Sequence, residues 1–111
     1  MAGYIPSRGD IVKMSLSPQS GHEQAGWRPA LVISPKAYDA ASSSALFCPI
    51  TSTSKDYPFE VPLADETQTA GVVLADQIRS LDWRARRARF VETAPATVVA
   101  EVMALLEPLV T

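Results

Sequence analysis

The apolar residues of this chain fall into short runs broken at close intervals by Pro, Gly and polar clusters, and that spacing excludes most architectures at the outset. Ile11 to Leu16 follows a Gly9-Asp10 turn signal and reads as a first strand. Residues 17 to 27, SPQSGHEQAGW, read as a loop, and Pro29 to Ser34 returns to strand character with β-branched Val32 and Ile33. Ser34-Pro35 is expected to cap and open a short helical turn through Ala41. A third strand is expected over Ala45 to Ile50, then a polar loop from Thr51 to Asp56. Tyr57 to Val61 reads as an edge strand, because Pro58 has no N–H for a ladder. Past a turn at Asp65 to Thr69, Gly71 to Ala75, Ile78 to Leu81 and Ala88 to Glu92 complete the strands.

The C-terminal segment changes period. From Pro95 onward, Val98, Val102, Leu105, Leu106 and Leu109 recur at three- and four-residue steps and share one helical face, with Pro95 in the opening turn after Thr93 or Ala94. That face is expected to cover the sheet, with Val99 and Met103 widening it. Several strands followed by one helix define an α+β class, a small twisted sheet or barrel rather than a helical bundle.

With 111 residues the chain holds one domain, residues 1–111. An eight-stranded α/β barrel or a complete dinucleotide-binding fold does not fit, so any chemistry belongs to a shallow surface site or to a groove between subunits. No apolar run approaches the roughly 18 residues of a membrane span, and the N-terminus lacks a signal-peptide pattern, so a soluble, cytoplasmic protein is expected. Cys48 is the single cysteine and His22 the single histidine, which leaves neither a disulfide nor a structural zinc set; no cofactor is expected, and Cys48, between Phe47 and Pro49, reads as a buried thiol. The formal charge of -2 hides a concentration: Arg79, Arg84, Arg86, Arg87 and Arg89 lie within eleven residues with Asp82 alone opposing them.

Three groups of residues carry possible chemistry. Glu23 and Arg28 flank a turn entering the second strand, offering a proton-accepting carboxylate beside a five-donor guanidinium; a surface ion pair has the same composition. Thr51 closes the third strand and leads into Ser52, Thr53, Ser54 and Lys55, hydroxyls and an ammonium suited to phosphate oxygens and equally to a solvated loop. Gln77 can read base edges, Arg79, Arg84 and Arg86 can clamp phosphates, and Trp83 can stack on a base, against a solvated sheet face with Trp83 partly in the core. His22 is an ordinary proton carrier in type but reads as exposed.

Taken together, Gly9-Asp10-Ile11, Glu23 through Ser34, Cys48-Pro49-Ile50-Thr51, Lys55 through Val61, and Asp76 through Ser80 with Trp83-Arg84 resemble one family, the mRNA interferases of the MazF/PemK type, RNA endonuclease toxins of bacterial toxin-antitoxin modules. The resemblance covers nearly the whole chain up to the terminal helix. It implies an SH3-like barrel with a C-terminal helix, a homodimer, metal-independent cleavage of single-stranded RNA, and a cognate antitoxin whose disordered tail occupies the RNA groove. By resemblance Arg28 matches the catalytic arginine, Thr51 a phosphate-contacting threonine, Glu23 the acidic position of the active loop, and Gln77 and Arg79 substrate-side positions. His22 departs from the small polar residue common before that glutamate. A guanidinium with an ordinary pKa of about 13 costs roughly 8 kcal/mol to neutralise at pH 7, so Glu23 is the preferred proton acceptor and Arg28 the donor and clamp. Two other classes compete: a nonenzymatic topoisomerase-binding toxin of the same fold, and a catalytically degenerate RNA-binding module.

Overall fold

The computed structural model describes residues 3–15, 26–63 and 65–111; Glu23 and His22 lie outside the described residues. Strands β1 (Asp10–Ser15) and β2 (Trp27–Val32) pair antiparallel, Ile11 opposite Leu31 and Met14 opposite Arg28. Of the loop expected over 17–27, Trp27 belongs to β2 and residues 17–25 lie outside the described residues. Helix α1 (Lys36–Ser42) follows, with Pro35 at its cap position rather than in its first turn. Ser34 does not cap it. The Ser34 hydroxyl donates to buried Asp39 Oδ1 at 2.5 Å and accepts from the Leu46 amide at 2.9 Å, tying α1 to the next strand.

That strand, β3 (Ser44–Thr51), is the hub of the sheet. One edge pairs with β2; the other pairs first with β6 (Arg79–Asp82) over Ser44 to Phe47 and then with β5 (Val72–Leu74) over Ile50 and Thr51. Pro49 sits in the gap between the two. Because the Ile33 amide bonds to the Leu46 carbonyl, the alternation of an antiparallel ladder turns the Pro49 nitrogen away from β2 toward that gap, so its missing N–H costs no ladder bond. A 3₁₀ turn (Ala75–Gln77) fills the space, replacing the end of the strand expected over 71–75.

Strand β4 (Glu60–Pro62) lies at one end of the sheet order β4-β5-β3-β2-β1-β7, and β7 (Arg89–Thr93) at the other. The edge strand is there, but it begins at Glu60, three residues past the expected Tyr57, and the proline within it is Pro62 rather than Pro58. The side-chain alternation of these strands divides the interior in two. Ile11, Leu31, Cys48, Ile50, Val61 and Val73 gather on one face beneath the terminal helix α2 (Ala96–Val110), and Val12, Met14, Ala30, Val32, Phe47 and Leu81 gather on the other. A curled sheet with two packed faces and one covering helix is the α+β, barrel-like architecture expected.

Helix α2 covers the first face with Val98, Val102 and Leu106; Leu105 is half-buried and Leu109 is 51% exposed, because the last helical turn runs past the core. Pro95 is the residue before the helix rather than part of its opening turn. No helix among the described residues is long and apolar enough to cross a membrane.

Candidate functional site

The β2–β3 ladder determines where Arg28 and Thr51 stand. Ala30 faces Pro49 and Val32 faces Phe47, so Arg28, two residues before Ala30, and Thr51, two after Pro49, leave the same end of the ladder on the same face of the sheet. Met14, opposite Arg28 on β1, belongs to the core cluster of that face. Arg79 joins the face from β6, where it stands opposite Phe47. From strand spacing and rise, the Arg28 and Arg79 backbones lie roughly 13 Å apart along the strands and about 10 Å across them. Between them Met14, Ala30, Phe47, Pro49 and Leu81 form a shallow apolar floor. Arg28 and Arg79 are exposed and Thr51 is half-buried, so two cations and a hydroxyl rim that floor. Gln77, exposed in the 3₁₀ turn before β6, stands at the same end as Arg79.

The loop leaving Thr51 is held by its own polar groups. The Thr51 hydroxyl accepts from the Thr53 amide at 3.3 Å; Glu60 accepts from the Ser54 hydroxyl at 2.7 Å and from the Lys55 amide at 2.9 Å. Those bonds, the Lys55 amide first, hold the Glu60 carboxyl below the usual glutamate range. Lys55 is thereby presented from an organised loop with its side chain exposed. Tyr57 donates to Asp76 Oδ2 at 2.9 Å, joining this loop to the turn that carries Gln77, and that bond raises the phenol's pKa.

Gly71 backs the site from the residue before β5. Its φ is +118°, and a Cβ there would stand 2.1 Å from the Thr51 carbonyl oxygen and 2.8 Å from the carbonyl carbon. Only glycine allows this approach. Ahead of it, residues 68 and 69 are strapped to β7: Glu92 accepts from the Gln68 amide at 2.9 Å and from the Thr69 amide and hydroxyl, both at 2.8 Å. Partial burial pushes the Glu92 carboxyl up, and the three hydrogen bonds outweigh it, leaving its pKa lowered.

The remaining arginine-rich segment is less uniform than its composition suggests. Trp83 is only 5% exposed and its indole N–H donates to the Asp39 carbonyl at 3.0 Å, so the ring belongs to the core and offers support for Arg84, whose guanidinium lies 5.0 Å from the ring centre, rather than a free stacking face. Arg86 donates to the Ser15 carbonyl at 3.0 Å and ties the turn after β6 to the end of β1. Of the residues that sequence reasoning singled out, Arg28 and Thr51 leave one end of the ladder on one face, Arg79 joins that face farther along the strands, and Gln77 stands in the turn just before it. Sequence reasoning missed Glu60, whose bonds to Ser54 and Lys55 close a short loop, and it missed Gly71, Tyr57 and Glu92 because each of these acts across about twenty residues of sequence that no local pattern records. Cys48 is buried, with its thiol pushed up to about 12 by burial and then by Asp76. Among the described residues no three His, Cys, Asp or Glu side chains gather as a metal site.

Known proteins resemble this chain in sequence and fold over nearly its whole length. The endoribonuclease toxin MazF of Escherichia coli K12 is 43% identical over 104 residues, covering 94% of this chain and 89% of that protein. A crystal structure of MazF from Deinococcus radiodurans superposes with a TM-score of 0.87 at 51% identity, covering 96% of this chain and 97% of the other, and a MazE-MazF structure from the same organism gives 0.87 at 46%, covering 96% of each chain. At 19% identity an endoribonuclease from a mycobacterial species shares the fold, with a TM-score of 0.77. Residues 7–110 match the family described as PemK-like, MazF-like toxin of type II toxin-antitoxin system, and the chain belongs to that family.

Proposed function

We propose that the chain is a metal-independent, sequence-selective endoribonuclease that cuts single-stranded RNA by attack of a 2'-hydroxyl on the adjacent phosphorus, leaving a 2',3'-cyclic phosphate and a 5'-hydroxyl. The observation that carries the reading is the shared origin of Arg28 and Thr51 at the end of one ladder, on one face, with Arg79 farther along it. The attack needs three things: a group to take the 2'-hydroxyl proton, a group to donate to the leaving 5'-oxygen, and donors for the charge that grows on the phosphate. Arg28 serves as clamp and proton donor, and the Thr51 hydroxyl holds a nonbridging oxygen. Glu23, five residues before Arg28, takes the 2'-hydroxyl proton directly or through water. Gln77, Arg79 and Lys55 grip the substrate on either side, with Arg84 and Arg86 extending the cationic border.

The relatives named above support the wider setting. Two are endoribonucleases by name and one structure holds MazE with MazF, so we read this chain as the toxin of such a pair, working as a homodimer and restrained by a cognate antitoxin. A subunit with a shallow floor gains a walled groove when two faces meet.

Sequencing the ends produced from a long unstructured RNA by wild type and Arg28→Ala in EDTA tests activity, selectivity and end chemistry together. Arg28-dependent cuts carrying cyclic phosphate ends are expected. Uncut RNA, or cuts that persist in Arg28→Ala, overturns the assignment. A deoxyribose at the cleavage site removes the nucleophile, and cutting there at the normal rate rejects 2'-hydroxyl attack. Full single-turnover cleavage by Glu23→Gln at pH 7 removes Glu23 from the proton-accepting role.

A further inference from the structure

Among the surface recesses that have no part in that mechanism, two are neighbours. One, of about 390 Å³, is lined by Lys13, Trp27, Arg89, Phe90 and Val91. The other, of about 360 Å³, shares Lys13, Trp27 and Val91 and is bordered by Arg28 and by the strapped loop at Gln68 and Thr69. Lys13 pairs with Arg89 on one side and with Pro29 on the other, so alternation sets these side chains on the opposite face of the sheet from Met14 and Ala30. Arg28 stands at the rim between the two faces.

The composition of the recesses is selective. No acidic side chain lines either one among the described residues. The nearest acid in sequence, Glu92, is turned into the loop and satisfied by three donors there. The Arg89 guanidinium lies 4.6 Å from the centre of the Trp27 ring, covering one face of an indole that is only half-buried. Two cations beside an aromatic ring, in an open recess with one wall pinned, match the chemistry that holds a single nucleic-acid strand: charge for the phosphates and a π-face for a base. Phe90, opposite Val12 and with its ring 5.8 Å from that of Tyr4, borders the first recess from the other side of β7.

We propose that this surface is a subsite for nucleotides flanking the cleavage site, in which Lys13 and Arg89 bind phosphates and Trp27 stacks on a base as the strand passes over the rim at Arg28. The inference rests on the ribonuclease reading. Its distinctive content is that affinity depends on RNA outside the recognised word and on a face of the sheet the catalytic groups do not occupy. Continuity with Arg28 favours RNA over an acidic peptide, because a strand held at Arg28 reaches the second recess without crossing any other surface.

The test compares the recognised word carrying deoxyribose at the cleavage site, alone and lengthened by about six uridines at either end. Binding to wild type and to Lys13→Ala/Arg89→Ala is followed by fluorescence anisotropy over a range of salt. For wild type, lengthening at one end tightens binding about tenfold. In the double variant that gain falls below about twofold, and the salt slope becomes shallower by about 0.7 for each phosphate no longer neutralised. Trp27→Phe, which keeps a ring, retains more of the gain than Trp27→Leu. The inference is overturned if lengthening adds nothing to wild type or if the gain survives in the double variant. It is also overturned if the double variant runs as a monomer where wild type is a dimer, which reassigns the surface to the subunit contact. If the protein cuts no RNA, the ribonuclease reading fails separately; a series of uridine oligomers of rising length then replaces the word, and the double variant's effect on length dependence is read in the same way.

Discussion

Replacing Gly71 by alanine tests the link between the fold and the proposed site most directly. The backbone there holds φ at +118°, outside the region open to L side chains, and the new Cβ would stand 2.1 Å from the Thr51 carbonyl oxygen, 2.8 Å from its carbon and 3.0 Å from the Ser52 Cα. All three are backbone atoms, so no rotamer change relieves the contact. The conformation itself costs about 1–3 kcal/mol. Separation of the strands also strains the Leu63 amide bond to the Gly71 carbonyl and the Thr51–Val72 pairing, about 1 kcal/mol for each bond broken. The smaller entropy of the unfolded alanine chain returns roughly 0.5–1 kcal/mol. The net destabilisation is about 3 kcal/mol, a large part of the 5–15 kcal/mol typical of a domain. Urea unfolding measures it, with Gly3→Ala as the control, since nothing lies within 4 Å of a Cβ at Gly3. Because the strain falls on the Thr51 backbone, single-turnover cleavage should fall by on the order of 10²-fold in the fraction that remains folded. A Gly71→Ala protein as stable as wild type within about 0.5 kcal/mol would refute the close approach, and one that is destabilised yet cuts at the normal rate would separate Thr51 from the chemistry.

The other predictions are simpler. Removing the loop strap by Glu92→Ala should cost about 1–2 kcal/mol, read by urea unfolding at pH 7. Since the folded pKa of Glu92 is lowered, its contribution is complete above the ordinary value of 4.5 and disappears as pH falls through the folded value; the gap between wild type and Glu92→Ala should therefore close in acid, and a gap independent of pH would contradict the strap. Arg28→Ala and Thr51→Val should each lower the single-turnover rate by about 10²–10³-fold, and a change confined to RNA affinity would make them binding groups only. Cys48, buried and with its pKa pushed up to about 12, should resist a thiol reagent at pH 8 until urea unfolds the chain; immediate labelling of the folded protein would contradict its burial.

Local pattern was enough for much of this molecule. Short apolar runs punctuated by Gly and Pro placed the strands within one or two residues, except the edge strand, which begins at Glu60 and not at Tyr57, because period and turn chemistry are properties of neighbouring residues. The four-residue recurrence of Val98, Val102 and Leu106 identified the covering helix for the same reason. The blocks around Arg28, Thr51 and Arg79 identified the family. What pattern lacked was register. Whether Arg28 and Thr51 share a face depends on Ala30 meeting Pro49 rather than its neighbour, and a slip of one residue would turn one of them to the other side of the sheet. Trp83 had equal claims to surface and core until the Asp39 carbonyl, more than forty residues earlier, accepted its N–H. Gly71 looked like an ordinary strand start until folding brought it against Thr51. Glu92 was only the end of the last expected strand until the loop at Gln68 and Thr69 closed over it. The residues that carry charge and hydroxyls are written in the chain; which of them meet is decided by long-range hydrogen bonding and packing, which join positions that the sequence keeps apart.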